Sequence, residues 1–308
     1  MKPPCDVLIL GGGPAGLSAA LVAGRARLST RVFAGGQPRN AVTRASHGLF
    51  TRDGVHPLEL QDLAIGQLAP YSSVTLTRTR VLSVGRQDGV FEVVDEHGER
   101  WRGRRIVIAT GFRDELAGLG LPGIEAVYGM SVFPCPFCDG FEHADQRVAL
   151  FGGDSALFLA PVVRVWATDL VVFTNAQPLA PEGRETLQSK GVVVEDAPVV
   201  RLHHDQGTLT AVELQGGRRI ERDAGFIADE YSVPSTPFAD QLGVASRVND
   251  WGMTELDAEP NGRTPIPGVY VVGDARSGFS GLTAAANDGS LCMSEIVHEI
   301  ATERWSAA

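Results

Sequence analysis

Apolar positions in this chain cluster into short unbroken runs, several of which end in glycine and lead into a stretch of helical spacing. The first, Val7-Leu8-Ile9-Leu10, runs into Gly11-Gly12-Gly13-Pro14-Ala15-Gly16 and an Ala/Leu-rich segment. A run without polar alternation fits a parallel strand buried on both faces. Val148-Ala149-Leu150-Phe151 before Gly152-Gly153-Asp154-Ser155-Ala156 reads the same way, as do Leu170-Val171-Val172-Phe173 and Gly268-Val269-Tyr270-Val271-Val272-Gly273-Asp274-Ala275. A long helix is expected over Thr283 to Ile300. Val74-Thr75-Leu76 and Phe91-Glu92-Val93-Val94 suggest small antiparallel elements. The pattern predicts an α/β fold of doubly wound type with helices on both faces of parallel sheets, in a chain long enough for two domains. Gly118-Leu119-Gly120-Leu121-Pro122-Gly123 and Ser232-Val233-Pro234-Ser235-Thr236-Pro237 are the expected crossings.

Composition narrows the function classes. With 308 residues and 44% apolar content the chain can bury a large core. A net charge of −10, with no basic run, argues against a nucleic-acid surface. No window approaches the roughly 20 apolar residues of a membrane span. The start, Met1-Lys2-Pro3-Pro4-Cys5-Asp6, has no apolar h-region, and four cysteines are too few for a disulfide framework. A cytoplasmic protein with no membrane segment is expected.

Two motifs carry chemistry. Gly11, Gly13 and Gly16 form G-x-G-x-x-G between a strand and a helix, where the first glycine permits the tight turn, the second admits a pyrophosphate and the third lets helix and strand pack closely. The second motif is Pro134-Cys135-Pro136-Phe137-Cys138-Asp139-Gly140, which places two thiols one helical turn apart with an acid directly after. Exposed N–H groups and the dipole of a helix start lower a thiolate's pKa, so the pair is suited to redox chemistry. A zinc site would need two more ligands, and Cys5, Cys292 and His143 are not spaced to supply them. No metal is expected. Asp139 reads equally as a helix-cap acid or as a proton donor and acceptor for the thiols.

The Gly11–Gly16 fingerprint, the strand end Ile108-Ala109-Thr110-Gly111, the Cys135–Gly140 box and Gly273-Asp274 occur in the order seen in low-molecular-weight thioredoxin reductases, and the resemblance covers essentially the whole chain. Gln37-Pro38-Arg39-Asn40 and His47-Gly48-Leu49-Phe50-Thr51-Arg52-Asp53 resemble a branch that includes bacterial dithiol oxidases. The resemblance implies a homodimeric flavoprotein, with FAD held by Gly11, Gly13, Pro14, Ala15, Gly16, Gln37, Asn40, Thr110, Gly111, Gly273, Asp274 and Ala284. It also implies two Rossmann-like doubly wound domains: an FAD-binding domain of residues 1–115 plus 240–308 and, inserted in it, a pyridine-nucleotide-type domain of residues 116–239 that would carry the dithiol. Cys138 would lie next to the flavin, Cys135 would exchange with an external disulfide, and Asp139 would act as acid or base.

The chain also departs from that pattern. Phe151 replaces the first glycine of the second fingerprint, where a bulky residue impairs the tight turn under a pyrophosphate. After Leu170–Phe173 comes Thr174-Asn175-Ala176-Gln177, with no cation for the 2′-phosphate of NADPH. The acid expected about 20 residues after the first glycines, for the adenosine ribose, is absent; Ala34 or Gly35 stands near that point, and polar groups on Gln37, Arg39 or Asn40 are the candidates to substitute for it. The expected activity is therefore an FAD-dependent thiol–disulfide oxidoreductase without efficient NADPH use. A thioredoxin-like protein or a small dithiol would be its substrate, and ferredoxin is a possible donor. The alternatives are a dithiol oxidase passing electrons to oxygen and an NADPH thioredoxin reductase with a divergent cofactor site. The end of the chain, Glu303-Arg304-Trp305-Ser306-Ala307-Ala308, suggests an aromatic tail able to stack on a flavin.

Overall fold

A computed structural model describes residues 3–229, 231–248, 254–278 and 280–307. The chain forms two compact units. The first gathers the described residues of Met1–Ala41, Leu49–Arg113 and Val233–Ala308; the second gathers Val42–Gly48 and Asp114–Ser232. Each is a mixed α/β layer structure built on a parallel sheet.

In the first unit Cys5–Leu10 lies between two parallel neighbours, Thr30–Phe33 and Arg100–Ile108. Among the described residues the seven-stranded sheet runs Val74–Thr77, Thr30–Phe33, Cys5–Leu10, Arg100–Ile108, Val90–Asp95, Val81–Gln87, with Val269–Val271 also pairing with Arg100–Ile108. Flanking on both sides explains the unbroken apolar run. Val7 and Ile9 face a core layer with Ala19, Ala20, Ala23, Met293 and Ile296, while Leu8 and Leu10 face Phe33, Phe91 and Ile108 on the other side. The small side chains of the helix Pro14–Arg25 let the helix Gly281–Ser306 approach closely: a Cβ on Gly289 would lie 1.9 Å from the Ala15 carbonyl oxygen.

Two expectations change here. Val74–Thr77 pairs in parallel with Thr30–Phe33, because the helix Pro57–Gly66 turns the connection into a crossover; the antiparallel meander is Val81–Gln87, Val90–Asp95 and Arg100–Ile108. The C-terminal segment is no free tail either. Glu303 to Ser306 continue the long helix, fastened by Arg105 to Glu303 at 2.6 Å and Arg304 to Asp6 at 3.1 Å, and Trp305 is 87% exposed. Ala308 lies outside the described residues.

The second unit carries, among the described residues, a five-stranded sheet in the order Val193–Glu195, Asp169–Phe173, Arg147–Phe151, Ala224–Ile227, Val132–Phe133, every pairing parallel. A three-stranded antiparallel sheet, Val199–Asp205, Thr208–Leu214 and Arg219–Glu221, completes it. Gly118–Gly123 lies inside this unit rather than at a crossing. Gly123 has φ +96°, and a Cβ there would come within 2.9 Å of the Leu202 carbonyl oxygen, so this glycine serves close packing. The chain changes unit at Ala41/Val42, Gly48/Leu49, Arg113/Asp114 and Ser232/Val233. No described helix is long and apolar enough to cross a membrane.

Candidate active site: a glycine crest and a dithiol turn

In the first unit the carboxyl ends of three neighbouring parallel strands converge on one crest. Gly11 has φ +124°, and a Cβ there would lie 2.1 Å from the Ala109 carbonyl oxygen. A Cβ on Gly16 would lie 2.0 Å from the Gly11 carbonyl oxygen. Gly13 differs, since a Cβ there meets nothing within 4 Å. It caps the helix Pro14–Arg25, which opens with Pro14 and Ala15, has no acid in its first turn and no side chain capping it. Backbone N–H groups at such a start favour an anion in the open space above them.

The second and third strand ends bring Thr110 with Gly111 and Gly273 with Asp274. The Thr110 and Thr236 hydroxyls hydrogen-bond at 3.0 Å, and the position of a Cβ on Gly111 is again open. A Cβ on Gly273 would lie 2.9 Å from the Ala15 Cβ, so this turn touches the first helix. Asp274 Oδ1 accepts hydrogen bonds from the Ser280 N–H (3.0 Å) and hydroxyl (2.6 Å), and Oδ2 lies 3.7 Å from Arg39 Nη1. The structure thus gathers Gly11, Gly13, Pro14, Ala15, Gly16, Gly273 and Asp274 with the segment that holds Arg39 and Asn40. Gln37 is exposed at the start of that segment, and Ala284 is exposed in the first turn of the C-terminal helix.

Three further side chains support this crest. Arg39 is one, and the sequence offered it among the polar groups that could stand in for the missing acid; nothing local marked the other two. Gln61 donates to the Gly12 carbonyl oxygen at 2.8 Å, and Asp288, paired with Arg276 at 2.8 Å, accepts from the Gly273 N–H at 3.3 Å. The lack of an acid after the second strand has a steric cause: a Cβ on Gly35 would lie 2.3 Å from the Thr79 carbonyl oxygen, and Ala34 is packed against Gly12.

In the second unit Cys135 precedes the single turn Pro136–Asp139, and the N–H groups of Cys138 (3.1 Å) and Asp139 (3.2 Å) both donate to its carbonyl oxygen. The Cys135 thiol is held below the usual range, first by a hydrogen bond with the Cys138 thiol and also by the N–H groups of Cys138 and Phe137. Direct hydrogen bonds, rather than the dipole of a long helix, account for the shift in this one-turn helix. The two cysteines are not joined in a disulfide; Cys135 is buried and Cys138 half-buried. Gly140 is required because a Cβ there would lie 2.4 Å from the Pro136 carbonyl oxygen and 2.8 Å from the Trp166 ring. Phe137, 75% exposed, stands edge-on to Trp166 at 5.8 Å.

Burial raises the Asp139 carboxyl to about 7, with the neighbouring His47 acting to lower it and Glu142 to raise it further. His47 Nε2 lies 3.5 Å from Glu142 Oε1. The segment 42–48 therefore joins the dithiol turn, a placement that no local signal around His47 announces. Glu142 lies three residues beyond Asp139, in the turns that follow the one-turn helix.

The second unit has its own glycine turn, at the end of Arg147–Phe151. The expectation that Phe151 takes the place of the first glycine does not hold. Phe151 ends its strand opposite Phe173 as Leu10 ends its own opposite Phe33, 2% exposed and stacked on Phe173 at 5.6 Å. Gly152 (φ +154°) stands where Gly11 does, its N–H donating to the Phe173 carbonyl oxygen at 3.1 Å, so that Asp154 and Leu157 replace the second and third glycines. A Cβ on Gly152 would meet Ser155 Oγ at 2.7 Å and Asp229 Oδ1 at 3.0 Å, and one on Gly153 would meet the Pro178 carbonyl oxygen at 2.4 Å. After Asp169–Phe173, Asn175 donates to the Gly120 carbonyl oxygen at 3.1 Å and accepts from the Val199 N–H at 2.8 Å. Two cations near this strand end are both engaged: Arg184 pairs with Asp196 at 2.6 Å, and Arg218 pairs with Glu195. No group of three or more His, Cys, Asp or Glu side chains among the described residues is placed to hold a metal ion.

Residues 5–289 match the model of the pyridine nucleotide-disulphide oxidoreductase family. The chain belongs to this family. It is an FAD-dependent disulfide oxidoreductase by descent, and the first unit's crest fits FAD, with open space over Gly13 and Gly111 and a carboxylate at Asp274. Among family relatives, the thioredoxin reductase aclD of Aspergillus oryzae is 29% identical over 97% of this chain and 97% of its own length. A thioredoxin reductase of Streptomyces coelicolor is 30% identical over 87% of this chain and 85% of its own. The crystal structure of TrxB from Bacillus anthracis superposes with a TM-score of 0.91, at 33% identity, over 97% of this chain and 99% of that one.

Proposed function

We propose that this chain exchanges electrons between FAD, the Cys135/Cys138 pair and an external disulfide or dithiol, without efficient use of NADPH. The observation that carries the reading is the hydrogen-bonded thiol pair beside a carboxyl raised to about 7. In the reductive direction the Cys135 thiolate attacks one sulfur of the external disulfide. The S–S bond breaks, one thiolate leaves and takes a proton, and Cys135 is held as a mixed disulfide. The Cys138 thiolate then attacks Cys135 Sγ, closing the intrachain disulfide and releasing the second thiol. The external disulfide gains two electrons and two protons, and the pair loses them. Asp139, titrating near neutrality, is suited to hold and pass the proton at each step. FAD, held by Gly11–Gly16, Thr110, Gly111, Gly273, Asp274 and the Gln37–Asn40 segment, with Ala284 at the start of the last helix, supplies the two-electron couple that resets the pair. Oxidation of a dithiol is the same sequence reversed.

The relatives named thioredoxin reductase support a thioredoxin-like protein as partner; a small dithiol is the other candidate. We assign the first unit to FAD binding and the second to the dithiol, and we expect a homodimer working in the cytoplasm. Refusal of NADPH is supported by the filled turn at Phe151–Gly153 and by Arg184 being engaged with Asp196. Anaerobic titration of the FAD-loaded protein tests the reading. Dithiothreitol should bleach the flavin band stoichiometrically and NADPH should not; prompt bleaching by NADPH would overturn the second half of the proposal.

A further inference from the structure

In a doubly wound sheet a dinucleotide lays its diphosphate over the glycine turn at the end of a central strand, against the start of the next helix. In the second unit that strand is Arg147–Phe151, with Asp169–Phe173 on one side and Ala224–Ile227 on the other. The place is taken by the protein itself. Asp229, just past the end of Ala224–Ile227, brings Oδ1 within 3.0 Å of where a Cβ on Gly152 would stand. The Ser155 hydroxyl donates to Oδ1, and Gln177 Nε2 donates to Oδ2 at 2.6 Å. Ser155 immediately precedes the helix Ala156–Val163 and makes no cap hydrogen bond to it, so its hydroxyl serves Asp229. Gln177 comes from the tip that follows the neighbouring strand. A hydroxyl at a helix start and an amide from the adjacent tip are donors that a bound diphosphate would use. The carboxylate holds both.

We propose that Asp229 is an internal anion occupying the diphosphate position and is the residue that decides the second unit's refusal of pyridine nucleotides. The inference rests on the reading above that NADPH is not used. An incoming diphosphate would have to displace Asp229 from Ser155 and Gln177 and then lie beside its charge. Asp154, on the same turn, adds a second carboxylate, which accepts the Ala180 N–H at 2.7 Å.

The test is calorimetric titration of the FAD-loaded protein with NADPH and with NADH, for the wild type, Asp229→Gly, Asp229→Asn and Asp229→Glu. The wild type and Asp229→Glu should show no saturable binding. Asp229→Gly should bind at least one nucleotide about tenfold or more tightly than wild type, the size expected when one poorly screened charge is removed from beside a phosphate. Asp229→Asn keeps the shape and loses the charge, and should share the gain; it decides the matter if the glycine variant does not fold. Tight binding of NADPH by the wild type would overturn both this inference and the reading it rests on. A silent wild type with equally silent Gly and Asn variants, FAD content and melting temperature unchanged, would overturn the role of Asp229 and leave that reading standing.

Discussion

The two glycine turns of this molecule occupy equivalent places, each at the carboxyl end of a central parallel strand, yet they use glycine for different ends. In the turn Gly11–Gly16 the outer glycines let the backbone press against Ala109 and against itself, and Gly13 is left facing open space. In the turn Phe151–Gly153 the glycines make room for the protein's own Ser155, Asp229 and Pro178. A glycine-rich turn at a strand end is thus a statement about close approach, and what approaches is settled elsewhere in the chain. One turn is open above Gly13. The other is closed by residues of its own unit.

That contrast can be broken at several points. The largest effect is expected where the second unit does its chemistry: Cys138→Ser should abolish disulfide exchange while leaving bound FAD, checked by turnover against absorbance, because the mixed disulfide at Cys135 then has no resolving thiol. Retained turnover would remove the dithiol from the mechanism. Phe151→Ala should cost about 3–5 kcal/mol in urea unfolding, the usual penalty for emptying a buried aromatic site, without creating NADPH binding. Should it bind nucleotide without loss of stability, the residue is a gate rather than core.

Two alanines sharpen the comparison directly. Gly153→Ala should lower stability by roughly 1–3 kcal/mol through the clash with the Pro178 carbonyl, with FAD content unchanged. Gly13→Ala should leave the melting temperature of the FAD-free protein within a degree or so and weaken FAD instead, measured by flavin retention on dilution. The reverse assignment of effects would mean that the open and closed turns have been exchanged.

A smaller effect concerns pH. Asp139 is raised from 3.8 to about 7 in the folded protein, so the folded state binds the extra proton. Its contribution to stability is fully present below about pH 4 and is lost as pH rises through about 7, with a slope of at most about 1.4 kcal/mol per pH unit. Asp139→Asn should flatten that part of the stability profile, read from urea midpoints across the window. An unchanged profile would show that the carboxyl titrates in its ordinary range.

Legibility from sequence followed the range of the interaction. The strand Cys5–Leu10 and its turn could be read because burial on both faces leaves no polar alternation and because glycine spacing is local. The Cys135–Gly140 turn was readable for the same reason. Val74–Thr77 was read as antiparallel and is parallel, since its direction is set by the crossover through Pro57–Gly66 and not by its own residues. The C-terminal residues read as a tail, but ion pairs from Arg105 and Asp6, far away in sequence, hold them as helix. The acid missing near Ala34 and Gly35 was noticed, whereas the reason for its absence, the Thr79 backbone against Gly35, lies on another strand.

What the sequence by itself determined is the set of pieces: parallel strands, two glycine turns of which the second departs from the full fingerprint, and a thiol pair with an adjoining acid. These depend on side-chain periodicity and on backbone conformations that one or two residues control. What only the tertiary structure decided is what fills and tunes those pieces. The His47 segment lies beside Asp139, Arg39 approaches Asp274, and Asp229 enters the Gly152 turn because hydrophobic burial of the sheets fixes distant strand ends against one another. The charges and hydrogen bonds that follow from such meetings have no periodicity along the chain by which they could be read.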